Sequence, residues 1–129
     1  MIVKLCEIGK PNANGAIYTE EAIKNALQKK DREIYCTLGI QGQPIIDIEK
    51  ICGRVDNMTI EDDVVYADIH MLKTPAGEIV EKLIHAGVNL SYGMCGDGVA
   101  IDNSIKEMTI VSIGITLPDD VDKHERGYN

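Results

Sequence analysis

Two residue types in this chain could attack a carbonyl, and each needs a partner that the rest of the sequence must supply. Ser91 lies in the run Leu90-Ser-Tyr-Gly-Met-Cys-Gly96, and a serine hydroxyl becomes a useful nucleophile only when a neighbouring base takes its proton. Of the three histidines, His70 on an expected strand is the candidate base. His85 sits near an expected helix C-terminus, where a positive charge suits the helix dipole, and His124 lies in a polar tail. Cys95 is the alternative nucleophile, but no acid or base is placed by the sequence to lower its pKa. Cys6, Cys36 and Cys52 are widely scattered and, like Cys95, read as reduced, mostly buried thiols. Glu61-Asp62-Asp63 could suggest a cation, yet no second oxygen cluster follows at calcium-loop spacing, so these acids read as a solvated turn. No metal and no cofactor is expected. The glycines of Gly39–Pro44 and Gly93–Gly98 would let backbone approach a small ligand, but turn geometry explains them better.

Ser91 must be positioned by what precedes it. Thr74 can cap a helix, Pro75 suits its first position and Gly87 its end, so the spacing predicts a helix between them. Ile79, Leu83 and Ile84 form its expected apolar face, with Val80 and Ala86 at the edges. A strand over Val88–Cys95 then carries Ser91, and Gly96-Asp97-Gly98 reads as a tight turn into Val99–Asp102. Glu107–Leu117 is the most apolar strand, ended by Pro118.

Upstream, Ile2–Ile8 reads as a strand and Pro11–Gly15 as a turn. Thr19 should cap a helix with Glu20 and Glu21 in its first turn, Lys29 and Lys30 at its end, and a stripe of Ala22, Ile23, Ala26 and Leu27. Glu33–Leu38 is a further strand. Ile51–Ile60 and Val64–Leu72 form a hairpin in which Val65, Ala67, Ile69 and Met71 alternate with Val64, Tyr66, Asp68 and His70.

The resulting order of strand, helix, strand, hairpin, helix and three closing strands predicts an α+β fold, with a mostly antiparallel sheet closing into a small barrel beside two main helices. At 129 residues one domain over 1–118 with a polar tail over 119–129 is expected. Hydrophobic residues make up 44% with no Phe or Trp, so Ile, Val, Leu and Met must build the core. A formal charge of −8 argues against sequence-independent nucleic-acid binding, which needs surplus cations. The first ten residues hold too short an apolar run for a signal peptide, and no run is long enough to span a bilayer, so a soluble intracellular protein with no membrane association is expected.

With these elements placed, the sequence resembles the prohead (capsid maturation) protease family of tailed bacteriophages, which shares its fold with the herpesvirus assemblin proteases. The segments that carry the likeness are Asn12-Ala-Asn-Gly-Ala-Ile-Tyr18, Gly53-Arg-Val55 with Val64-Val-Tyr-Ala-Asp-Ile69, Leu72-Lys-Thr-Pro-Ala-Gly77, His85-Ala-Gly87, Leu90-Ser91 and Ile110–Pro118. The resemblance implies that Ser91 matches the family's nucleophile. It also implies that the base belongs in a segment of the form G-E-L-D-H-P, which reads Gly39-Ile-Gln-Gly-Gln-Pro44 here, so that Gln43 stands where the histidine is expected. An amide cannot accept that proton near neutral pH. The family's arginine after the serine is also missing from Tyr92–Gly96. The combined expectation is a phage or prophage protein with a degenerate protease site, acting by protein binding in capsid assembly or as an accessory factor. Its partners would be capsid or scaffold proteins, or a host protein, with self-association into a homodimer as in assemblins. It would work in the host cytoplasm, in association with virion or procapsid. The alternative is an active serine endopeptidase of head maturation.

Overall fold

The computed structural model describes residues 1–12, 15–29, 33–40 and 46–118. Strand β1 (Ile2–Glu7) is followed by the two-residue β2 (Ile17–Tyr18), helix α1 (Glu20–Gln28) and β3 (Tyr35–Leu38). A 3-10 turn at Ile48–Lys50 leads into the hairpin of β4 (Ile51–Glu61) and β5 (Val64–Met71). Helix α2 (Pro75–His85) then delivers the chain to β6 (Ser91–Ile101) and β7 (Ser104–Thr116).

The seven strands form one sheet in the order β1-β5-β4-β3-β7-β2, with β6 on the other edge of β7. Pairing is antiparallel except where β7 meets β2 and β3, so the sheet is mixed but mostly antiparallel. It curls into a half-barrel with two helices, and β1 comes into contact with β6 without a ladder between them. The expected fold class is therefore the observed one. Buried Val65, Ala67 and Ile69 on β5, Cys36 on β3 and Ile113 and Ile115 on β7 supply much of the core, joined by Ala22, Ile23 and Ala26 of α1.

Both helices begin as their caps dictate. Thr19 accepts the Ala22 N–H and donates to the Ile105 carbonyl at 2.7 Å, so one hydroxyl starts α1 and ties it to β7. Beyond the last turn of α1, the Lys29 ammonium donates to the Met108 carbonyl and the Thr109 hydroxyl. Lys30, expected to share that end, lies outside the described residues, as do Ala13 and Asn14 of the early turn.

Three expectations need correction. Gly96-Asp97-Gly98 is not a turn: β6 runs through it for eleven residues, with a register shift between Cys95 and Gly96, and the chain reverses at Asp102-Asn103 instead. Both turn residues hold positive φ, 50° and 67°, as a two-residue hairpin turn demands, and Asp and Asn tolerate that conformation. Two long strands thus replace the three short ones, and β7 starts at Ser104 rather than Glu107. The short β2 was not foreseen, because its two residues carry no period. The apolar face of α2 is also rotated: Ala76, Gly77 and Val80 are buried, whereas Ile79 is 46% exposed. The reason is close packing of small residues against β4. A Cβ on Gly77 would lie 2.9 Å from the Cys52 carbonyl oxygen and overlap that of Leu72, so the helix backbone itself rests on the sheet.

Candidate functional site

The position of Ser91 is set from both sides. The Thr74 hydroxyl accepts the Gly77 N–H at 3.0 Å and donates to the Ile51 carbonyl at 2.6 Å, fixing the start of α2 against the first residue of β4. After the helix, Gly87 takes a φ of 83° and the Val88 N–H closes back on Leu83, turning the chain toward β6. Ser91 then opens β6, half-buried, opposite Thr116 near the end of β7.

Because side chains alternate along a strand, Ser91, Gly93 and Cys95 share a face with their partners Thr116, Gly114 and Ser112, and with Tyr35 and Thr37 of β3. That face is made of hydroxyls, glycines and a thiol. Ser112 and Thr37 are fully buried; the Thr37 hydroxyl donates to the Gly39 carbonyl at 3.0 Å, while Ser112 Oγ and Thr116 Oγ1 are buried with no hydrogen-bond partner among the described residues. Gly114 is where the next segment crosses. A Cβ there would stand 3.1 Å from the Gly39 oxygen and 3.5 Å from Ile40 Cα, and the Gly39 N–H donates to the Ile115 carbonyl at 2.8 Å. Gly39 and Ile40 therefore lie against the end of β7 where Ser91 lies. Gln43, the residue expected in place of the base, lies outside the described residues, as do His124 and the 119–129 tail.

The other expected site residues are placed as follows. His70 is exposed on β5 and pairs with Arg54 of β4; β4, β3 and β7 separate its strand from β6 along the ladder. His85 is exposed in the last turn of α2. Cys95 is buried beside Gly114, with its sulfur 3.6 Å from where a Cβ on that glycine would be. Asp62 and Asp63 form the β4–β5 turn, both exposed with positive φ. Among the described residues no group of three or more His, Cys, Asp or Glu side chains could hold a metal, and no helix is long and apolar enough to cross a membrane.

Burial also governs the two core thiols. Desolvation pushes Cys36 up to about 12, with the neighbouring Cys52 adding to the effect, and Cys52 up to about 11. Tyr92, whose side chain points to this opposite face, is raised by burial and then by the same two thiols. These groups are neutral packing elements near neutral pH.

No protein-family model matches the chain, and no curated protein matches it in sequence. A solved structure does match in three dimensions: the bacteriophage T4 capsid assembly protease, gp21, at a TM-score of 0.66 over 91% of this chain and 76% of that one, with 12% sequence identity. The fold is prohead-protease-like. At this identity the likeness is one of chain path, and it agrees with the fold that the distributed motifs imply. Within this prohead-protease-like fold, the residues that sequence reasoning missed are Thr116, Ser112 and Gly114. Only Gly114 left a signal, as a glycine inside an apolar strand, which often marks close approach of another backbone.

Proposed function

We propose that this chain uses a prohead-protease-like scaffold to bind proteins of capsid assembly without cutting them. The observation that carries the reading is the composition of the face around Ser91. Its cross-strand partner is a threonine, its neighbours two residues on and diagonally across are glycines, and the hydroxyls of Thr116 and Ser112 have no partner among the described residues. None of these groups accepts a proton near neutral pH, and the candidate base His70 is exposed on β5, a strand that does not pair with β6. The Gln43 that the family resemblance aligns with the missing histidine supports the same conclusion. Natural partners by this reading are capsid or scaffold proteins.

Co-expression with the capsid and scaffold proteins encoded alongside it tests the proposal. Copurification of an uncut partner is the expected result. Partner fragments that vanish on Ser91→Ala substitution would overturn it. One observation favours the alternative, an active endopeptidase: Gly39, which begins the segment the family resemblance assigns to the base, and the Ser91 end of β6 both lie at the end of β7. That alternative requires the same fragments.

A further inference from the structure

Strand β6 changes character part-way along. Met94, Cys95 and Gly96 are buried, whereas every residue from Asp97 to Ile101 is exposed. This last stretch is paired with β7 on one side and with no strand on the other among the described residues. The neighbouring segments meet β7 elsewhere. Ile17 of β2 pairs with Ser104 and bridges Pro11 on its far side, Lys29 reaches Met108 and Thr109 from the end of α1, and Gly39 bonds Ile115 at the other end of the strand.

Exposed edges are ordinarily guarded by a charged side chain, a proline or a bulge. The run Gly98-Val-Ala-Ile101 has none of these. It contains no charge and no proline, and the register shift at Val99/Ala100 puts the added residue, Lys106, on β7 rather than on β6. Val99 and Ile101, 51% and 56% exposed, share one face of the strand.

This edge is complementary to itself. In an antiparallel pair with its two-fold axis at Ala100, Val99 of each copy faces Ile101 of the other, and the four apolar side chains meet on one face. Gly98 then faces Asp102 and Asp97 faces Asn103, so no two carboxylates are opposed. With the axis between Val99 and Ala100 instead, Asp97 would face Asp102 at both ends and the acids would repel.

We propose that the Asp97–Ile101 edge of β6 is a self-pairing surface, through which two copies of this chain join antiparallel about Ala100 and continue one sheet into the other. The argument uses the strand edge alone and does not depend on the binding reading above. A pair this short covers less than a standard interface, so the association is weak and rises with concentration.

Sedimentation of the full chain from about 10 µM to about 1 mM tests this, together with amide hydrogen exchange. A shift from monomer to dimer is expected, with protection at residues 97–101 that grows with concentration. Val99→Lys and Ile101→Glu should each weaken dimerisation about tenfold or more, since each puts a lone charge into the apolar cluster. Combined in one chain they place opposite charges across the pair in this register, and the double variant should recover most of the loss. Circular dichroism melts check that all three variants fold. A monomer throughout the range, protection at 97–101 already complete in the dilute monomer, or a double variant as weak as the single ones would each overturn the proposal. Copurification of an uncut capsid or scaffold protein is read separately, so either result can fail without the other.

Discussion

Ser91 faces Thr116 across the β6–β7 ladder, and the Thr116 hydroxyl is buried without a hydrogen-bond partner among the described residues. A lone desolvated hydroxyl is a cost to the fold, so removing it while keeping the shape should help. Thr116→Val is expected to raise stability by about 1 kcal/mol, and Ser112→Ala, which removes the second orphaned hydroxyl, to act in the same direction. Urea denaturation of the two variants against the parent measures this. A loss of stability in Thr116→Val would mean that its hydroxyl is paired.

The contact of α2 with β4 depends on the absence of a side chain at Gly77. Even a methyl group would meet the Cys52 and Leu72 carbonyls, and neither can retreat without breaking the Leu72 N–H bond to Cys52 at 2.9 Å. Gly77→Ala should cost about 3 kcal/mol, the upper end of what overpacking does in a well-filled interior, despite alanine's better helix propensity. Ala76→Gly should cost about 1 kcal/mol through propensity and a lost methyl contact. Thermal melts that rank the two the other way would contradict the backbone-on-backbone packing described for α2.

Cys36 and Cys52 make stability fall at alkaline pH. Their folded-state values of about 12 and about 11 lie above the ordinary thiol value of 9.0. The unfolded chain therefore releases these protons first as pH rises. Their contribution is complete below that ordinary value, which the thiols have in the unfolded chain, and is lost as pH climbs from it through the folded values. The denaturation midpoint should fall above that pH, and less steeply in a Cys36→Ala, Cys52→Ala double variant. At pH 8 iodoacetamide should leave both thiols unmodified until denaturant is added.

How far these features could be read in the sequence depended on how local their causes are. Thr19, Thr74 and Pro75 announce helix starts through the chain's own next turn, and both helices begin where those residues place them. The β4–β5 hairpin was legible from the alternation of Val65, Ala67 and Ile69. Non-local pairing was not. The parallel ladder of β3 with β7 leaves no mark in either strand, and the glycines at 96 and 98 drew the turn away from Asp102-Asn103. That error hid the site. The register bringing Ser91 opposite Thr116 follows from the true turn plus two register shifts, at Cys95/Gly96 and Val99/Ala100, and no single strand encodes them. Ser91 itself was marked by family resemblance, while its surroundings required the ladder. The rotated face of α2 has a similar origin, since hydrophobicity favours Ile79 but close approach selects Ala76 and Gly77.

The central claim is that the Ser91 hydroxyl is not activated. Incubating the folded chain with a fluorophosphonate at neutral pH and recording its intact mass tests this most directly. The expected result is an unchanged mass. A single phosphonyl adduct that maps to Ser91, and that is absent in Ser91→Ala, would contradict the account.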